Sequence, residues 1–156
     1  MMLNINEINV IENEDVNMKE LLSIDASDSD RREIALDCRT PVSVLELLSN
    51  DEDVIVRARV GENPNTPISI IQVLSKDLRW VVRLHIARNI NTPKSILEVL
   101  SKDEKAKVRL GVAYNRNTPI SVLIFLRNDV SISVRKGVGV YCPPRSVVMG
   151  NLEEFM

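Results

Sequence analysis

The chain has 156 residues, 44% of them hydrophobic but only 3% aromatic, and a formal net charge of −2. That length suits one domain whose core must be built from Val, Ile, Leu and Ala rather than rings. No apolar run approaches the roughly 18 residues of a membrane span, and Cys38 and Cys142 form no C-x-x-C pair. A transmembrane protein, a disulfide framework and a zinc ribbon are therefore set aside, while the near-neutral charge argues neither for nucleic acid nor against it.

Residues 1–30 carry eight acids (Glu7, Glu12, Glu14, Asp15, Glu20, Asp25, Asp28, Asp30) against Lys19, whereas residues 31–156 carry 19 basic and 14 acidic groups. An acidic leader thus precedes a mildly basic body. Residues 1–12 show no firm period and read as a flexible leader. They lack the basic n-region of a secretory signal, so the expected location is cytoplasmic, with both thiols reduced.

From Asn13 the chain repeats. Asn63-Pro64-Asn65-Thr66-Pro67 returns as Asn89-Ile90-Asn91-Thr92-Pro93 and as Asn115-Arg116-Asn117-Thr118-Pro119, with a trimmed Arg39-Thr40-Pro41 before them. The prolines at 41, 67, 93 and 119 stand 26 residues apart, a period that marks stacked supersecondary units. The units run 13–38, 39–64, 65–90, 91–116 and 117–142, followed by a partial sixth at 143–148 and a tail at 149–156. The first is degenerate, with Asp15 at the proline position and Asp28 and Asp30 replacing core valines, as expected where a terminal unit meets water. Pro144 follows Pro119 by 25 residues, so the last unit has lost one.

Each unit predicts two short helices. The first starts at the Thr-Pro pair, with Thr as N-cap and Pro at the first helical position. Its apolar face is Val44, Leu45, Leu47, Leu48; Ile70, Ile71, Val73, Leu74; Ile96, Leu97, Val99, Leu100; and Val122, Leu123, Phe125, Leu126. The second follows Asp51, Asp77, Asp103 and Asp129, which are expected to cap it. Val56, Val82, Val108 and Val134, then Val60, Ile86, Val112 and Val138, point inward, and Gly61, Ala87, Ala113 and Gly139 mark close crossings. Runs such as Asp53-Val54-Ile55-Val56 have strand propensity, but the recurrent Asp and the spacing of small residues favour helix. Helices this short hold only by stacking.

Four constellations carry candidate chemistry. Arg57, Arg83, Arg109 and Arg135, with Arg31 as a fainter start, each fall on the inward side six residues after a column Asp. A buried Arg needs a carboxylate, so Asp51, Asp77, Asp103 and Asp129 with these arginines read as a structural ladder rather than a phosphate stripe. The paired Asn columns (63, 89, 115 and 65, 91, 117) read as turn-stabilising. His85, the only histidine, lies in register with Arg59, Gly111 and Gly137 on an outward face. With no second ligand or nucleophile beside it, it reads as a surface residue. Finally, Leu78, Trp80 and Val81 with Arg59, Arg79, Arg88, Lys107 and Tyr114 make an apolar centre ringed by basic groups, the pattern of a partner patch.

The unit, spelled Asn63-Pro64-Asn65-Thr66-Pro67…Leu74-Ser75-Lys76-Asp77…Val82-Arg83 with a small residue at Ala87, resembles the leucine-rich repeat variant family over roughly residues 13–148. The resemblance implies an all-α fold, a right-handed α-solenoid of about five 26-residue two-helix repeats, with one helix of each pair tending toward 3₁₀ geometry. The Asp…Val-Arg half is also similar to HEAT repeats, whose Asp and Arg form an interior ladder. The family's unit is nearer 24 residues, and the two extra here leave room for a regular α-helix. The N-terminal iron–sulfur cluster that some family members carry is not carried over, because residues 1–37 contain no cysteine.

The expected function is a non-catalytic scaffold binding a protein or peptide on one face, without cofactor, metal or membrane. The alternative is a nucleic-acid-binding solenoid modulated by the acidic N-terminus. No catalytic motif is present in the sequence.

Overall fold

The computed structural model describes residues 27–141. The leader, residues 13–26 of the first unit, Cys142, the partial unit 143–148 and the tail lie outside the described residues. Within them the chain is all helical: α1 (Asp28–Leu36), α2 (Val42–Leu48), α3 (Val54–Glu62), α4 (Ile68–Leu74), α5 (Trp80–Arg88), α6 (Lys94–Leu100), α7 (Ala106–Tyr114), α8 (Ile120–Leu126) and α9 (Ile132–Tyr141). Both helices of each pair are α, and no 3₁₀ segment or strand occurs among the described residues. The strand propensity of 53–56 therefore loses to its helical context.

The first helices (α2, α4, α6, α8) start one residue later than expected. Pro41, Pro67, Pro93 and Pro119 are themselves the extended N-cap residues, without a side-chain cap bond. The threonines do different work. The Thr40, Thr66, Thr92 and Thr118 hydroxyls donate to the carbonyls of Ile34, Val60, Ile86 and Val112 at 2.5, 2.5, 2.6 and 2.6 Å. Each lies in the extended linker between helices, where the nearest orphan groups are the last carbonyls of the preceding helix. Thr therefore closes one helix rather than opening the next.

The column aspartates also sit further out than a cap. Asp51, Asp77, Asp103 and Asp129 accept from the amides two residues on, those of Asp53, Arg79, Lys105 and Ser131, at 2.7–2.8 Å. This fixes the turn before the second helix. At Asp53 the N-cap side chain also accepts from Ile55 N; Arg79 and Lys105, as N-caps, make no such bond.

The second helices pack on one another in chain order, α1 on α3, α3 on α5, α5 on α7 and α7 on α9, while each first helix packs chiefly on its neighbouring second helices. Val44, Leu45, Leu48, Ile71, Leu74, Leu97, Leu100 and Leu126 meet Val56, Val60, Val82, Ile86, Val108, Val112, Val134 and Val138 in one continuous aliphatic core. Close approach between second helices requires small residues. A Cβ on Gly111 would stand 3.0 Å from Leu84 Cδ1 and 3.1 Å from the Ala87 Cβ. One on Gly137 would stand 2.6 Å from Leu110 Cδ1. These two glycines, expected on an outward face, are in fact the contact points, whereas Gly139, expected at a crossing, has no such neighbour within 4 Å among the described residues.

One column of the expected core is misplaced. Leu47, Val73, Val99 and Phe125 are 48, 62, 70 and 54% exposed. On the helical wheel they lie about 105° from the centre of the buried trio beside them. They would be covered only if adjacent first helices met closely, and those do not pack as the second helices do.

The asparagines tie each unit to the one before it. Asn63 Nδ2 donates to Ala35 O and Asp37 O, Asn89 to Gly61 O and Asn63 O, and Asn115 to Ala87 O and Asn89 O, all at 2.8–3.0 Å. Their Oδ1 atoms accept from the amides of Asn65, Asn91 and Asn117 at 2.8 Å. The second Asn column reaches back as well, to the carbonyls of Cys38, Pro64 and Ile90. What the sequence suggests as local turn chemistry is mainly bonding across 26–28 residues.

Candidate partner-binding surface

Residues of α5 at positions 80, 84 and 88 share one stripe, as do 106, 110 and 114 of α7. That stripe lies opposite the buried positions 82 and 86 of α5 and so faces away from the first helices. It presents Trp80, Leu84 and Arg88 beside Ala106, Leu110 and Tyr114, and Trp80, Leu84, Ala106 and Leu110 are partly buried against the core. Lys107 Nζ stands 4.9 Å over the Trp80 ring centroid, a cation–π contact between neighbouring units. The surface is thus a shallow apolar strip with cations at its edges.

The sequence-derived patch divides on this geometry. Trp80, Val81 and Lys107 come together at the N-terminal ends of α5 and α7, and Val81 is another partly buried residue on the core. Arg88 and Tyr114 lie eight residues on from Trp80 and Ala106, about 12 Å along the helices. Leu84 and Leu110, which the sequence reading missed, bridge the two ends; their i, i+4 spacing from Trp80 and Ala106 is the signal that could have found them. Arg59 is turned to other work, its Nη1 3.0 Å from Glu62 Oε2. Leu78, 95% exposed, precedes α5 and lines a separate groove with Asp51, Arg57, Val73, Lys76 and Asp77. Arg79 is exposed at the α5 N-cap.

His85 is not a free surface residue. Its Nδ1 lies 3.3 Å from Glu62 Oε2, and its side chain is largely covered. Burial pushes its pKa below the ordinary value, against the opposing pull of the Glu62 carboxylate and helped by Arg88 and Arg59.

The arginine column pairs forward, not within its unit. Arg31, Arg57, Arg83 and Arg109 donate through Nε to Oδ2 of Asp51, Asp77, Asp103 and Asp129, each 20 residues on, at 2.8, 2.7, 2.6 and 2.6 Å. Nη2 adds a second bond to the same carboxylate at 2.9–3.3 Å. The aspartate six residues before each arginine contributes only its carbonyl, 2.7 Å from Nη1 of Arg57, Arg83 and Arg109. The bidentate bond that Arg57 donates to Asp77 raises the Arg57 pKa. Burial alone would raise Asp77, but Arg57 and the Arg79 amide hold its carboxyl below the ordinary value. Asp129 is lowered likewise, chiefly by Arg109.

Charge is unevenly spread. Residues 27–64 hold five Lys or Arg against nine Asp or Glu, whereas residues 65–141 hold thirteen against five. The strip lies in the basic half. Among the described residues no group of three or more His, Cys, Asp or Glu is placed to hold a metal ion, and no helix is long and apolar enough to cross a membrane. No protein-family model, curated protein or solved structure matches the chain.

Proposed function

We propose that the chain is a non-catalytic interaction module that holds a protein or peptide against its second-helix face, mainly through units 65–90 and 91–116. In this reading the helix pairs form a right-handed α-solenoid of the leucine-rich repeat variant or HEAT-like kind. The recurrence of the Asn and Arg–Asp bonds at the 26-residue period supports that architecture. The observation that carries the functional reading is the apolar strip of Trp80, Leu84, Leu110 and Tyr114 on the side away from the first helices, partly exposed and edged by Arg88 and Lys107. Trp, Tyr and Arg are the side chains on which interface energy concentrates.

The test compares quantitative affinity capture by the full chain with capture by an Arg88→Glu, Tyr114→Ala variant, both residues being exposed. Trp80→Ala is the less clean probe because its ring packs on the core. Proteins retained by the wild type should fall about tenfold or more with the variant, the size expected for losing one interface anchor, while helicity stays the same. Retention that survives both changes would place the binding face elsewhere.

The excess of cations in residues 65–141 favours nucleic acid as the second reading. It predicts binding to a DNA or RNA oligomer that weakens steeply between low and moderate salt. Salt-independent or absent binding removes it.

A further inference from the structure

The exposed column of the first helices borders a row of grooves, one at each of three successive joints. The first, of about 390 Å³, is lined by Asp51 and Arg57 of one unit and by Val73, Lys76 and Leu78 of the next. In the second, of about 500 Å³, Ser75 meets Val99, Lys102 and Asp103. In the third, of about 490 Å³, Lys102 and Arg109 meet Phe125, Asp129 and Val130. Each has the size of a ligand pocket.

Two properties of the row exceed what the fold needs. Leu47, Val73, Val99 and Phe125 differ in identity yet all stay apolar, although about half or more of each side chain meets water. A polar residue would serve the core as well there, so the shared character points to something that covers the column. The second property is charge. Asp51, Asp77, Asp103 and Asp129 are each neutralised by the bidentate arginine of the preceding unit. A ligand therefore meets the exposed cations Lys76 and Arg79 on one turn and Lys102 and Lys105 on the next. Against them stand Glu98 and Glu104, and Glu104 itself lies 3.7 Å from both Arg83 and Lys105.

We propose that this row is a second binding surface, separate from the second-helix strip, for an extended acidic peptide segment with an apolar side chain at every third residue. Charge complementarity sets the sign of the ligand. Spacing sets its conformation. Packed helices stand about 8–10 Å apart, and the first helices, which do not meet closely, step by about the upper value. A polyproline II segment repeats a face every three residues, about 9 Å, whereas a β-strand repeats one every two, about 7 Å. One apolar side chain then enters each groove beside Val73, Val99 or Phe125, while carboxylates between them face the lysines. An anionic membrane fits the same charges less well. The turn tips run Glu52, Leu78, Glu104, Val130, so acids interrupt any apolar row that could enter a bilayer.

Fluorescence anisotropy of the full chain with a labelled peptide of four Leu-Pro-Glu repeats tests this. Binding should saturate, and a Leu-Pro-Lys peptide should bind at least about tenfold more weakly. Val99→Ser and Lys102→Glu, both at exposed positions, should each weaken binding about fivefold to tenfold. Arg116→Glu, the same charge change in the turn between α7 and α8, should leave it unchanged. No saturation up to about 1 mM would overturn the proposal, as would binding that ignores Val99→Ser and Lys102→Glu. Equal binding of a peptide of the same composition with its leucines clustered would overturn the assigned spacing and with it the proposal. Phosphatidylserine vesicles that bind the chain and displace the peptide would make the surface a lipid site and overturn it too.

Discussion

The two helix layers are built from the same 26-residue unit yet are held in different ways. Second helices touch one another through Gly111, Gly137 and Ala87, and side chains on the layer bond across units through the Arg–Asp pairs. First helices of seven residues lean on that layer, bury three aliphatic side chains apiece in α2, α4 and α8, and leave a fourth column in water. The second-helix layer therefore carries most of the contact between units, while both layers supply fully buried side chains to the core. The outward column of the first helices is free to vary in chemistry at little cost to the fold.

The sharpest way to break this contrast is to remove methylenes from one residue of each layer. Ile86→Ala, at a fully buried side chain of the second-helix layer, should cost about 3–4 kcal/mol in urea unfolding. Val99→Ala, on a column 70% exposed, should stay within about 0.5 kcal/mol. Comparable losses at both sites would mean that the first helices are covered by a contact of their own. Next in size is Asn89→Ala, which strips the donor from the buried carbonyls of Gly61 and Asn63. About 2–3 kcal/mol should be lost, whereas Asn91→Ala, at an exposed bond to Pro64, should cost clearly less.

The smallest effects are those of pH. Asp77 and Asp129 have folded-state pKa values below the ordinary carboxylate value, so the folded chain binds fewer protons than the unfolded one through that range. Their contribution is complete above about pH 5 and is lost as pH falls through about 4 and below. His85 is lowered too. Its contribution is present above about pH 7 and fades as pH falls through the ordinary histidine value near 6.5. Melting temperature should therefore dip slightly between pH 7.5 and 5.5 and then fall further below pH 4. The first dip should vanish in His85→Gln. A first dip that survives that substitution would assign it to another group.

The 26-residue period, the pairing of helices and most of the core could be read from the sequence, because burial of Val44, Leu45 and Leu48 and their echoes follows from helical spacing alone. What lay beyond it depended on which flank of a helix meets a neighbour. Spacing puts Leu47 and Val99 beside the core, but only the gap between first helices leaves them exposed. It puts Gly111 and Gly137 on the same side as His85, but only the approach of Leu84 and Leu110 shows why those positions must be small. The aspartate and arginine six residues apart suggested pairing within a unit, and the side-chain bond runs instead to the next. In the candidate surface, Trp80 and Lys107 were legible as a pair of neighbours in consecutive units. Leu78 was not separable from them, since two residues of loop carry it to another groove.

The bonds between units share a direction. Each arginine waits for an aspartate that comes later in the chain, and each buried asparagine supplies donors to carbonyls that came earlier. Every joint is thus completed by its C-terminal member. A break in the middle therefore leaves two unlike stumps: arginines and carbonyls in want of partners on the upstream piece, carboxylates and amide donors on the downstream one.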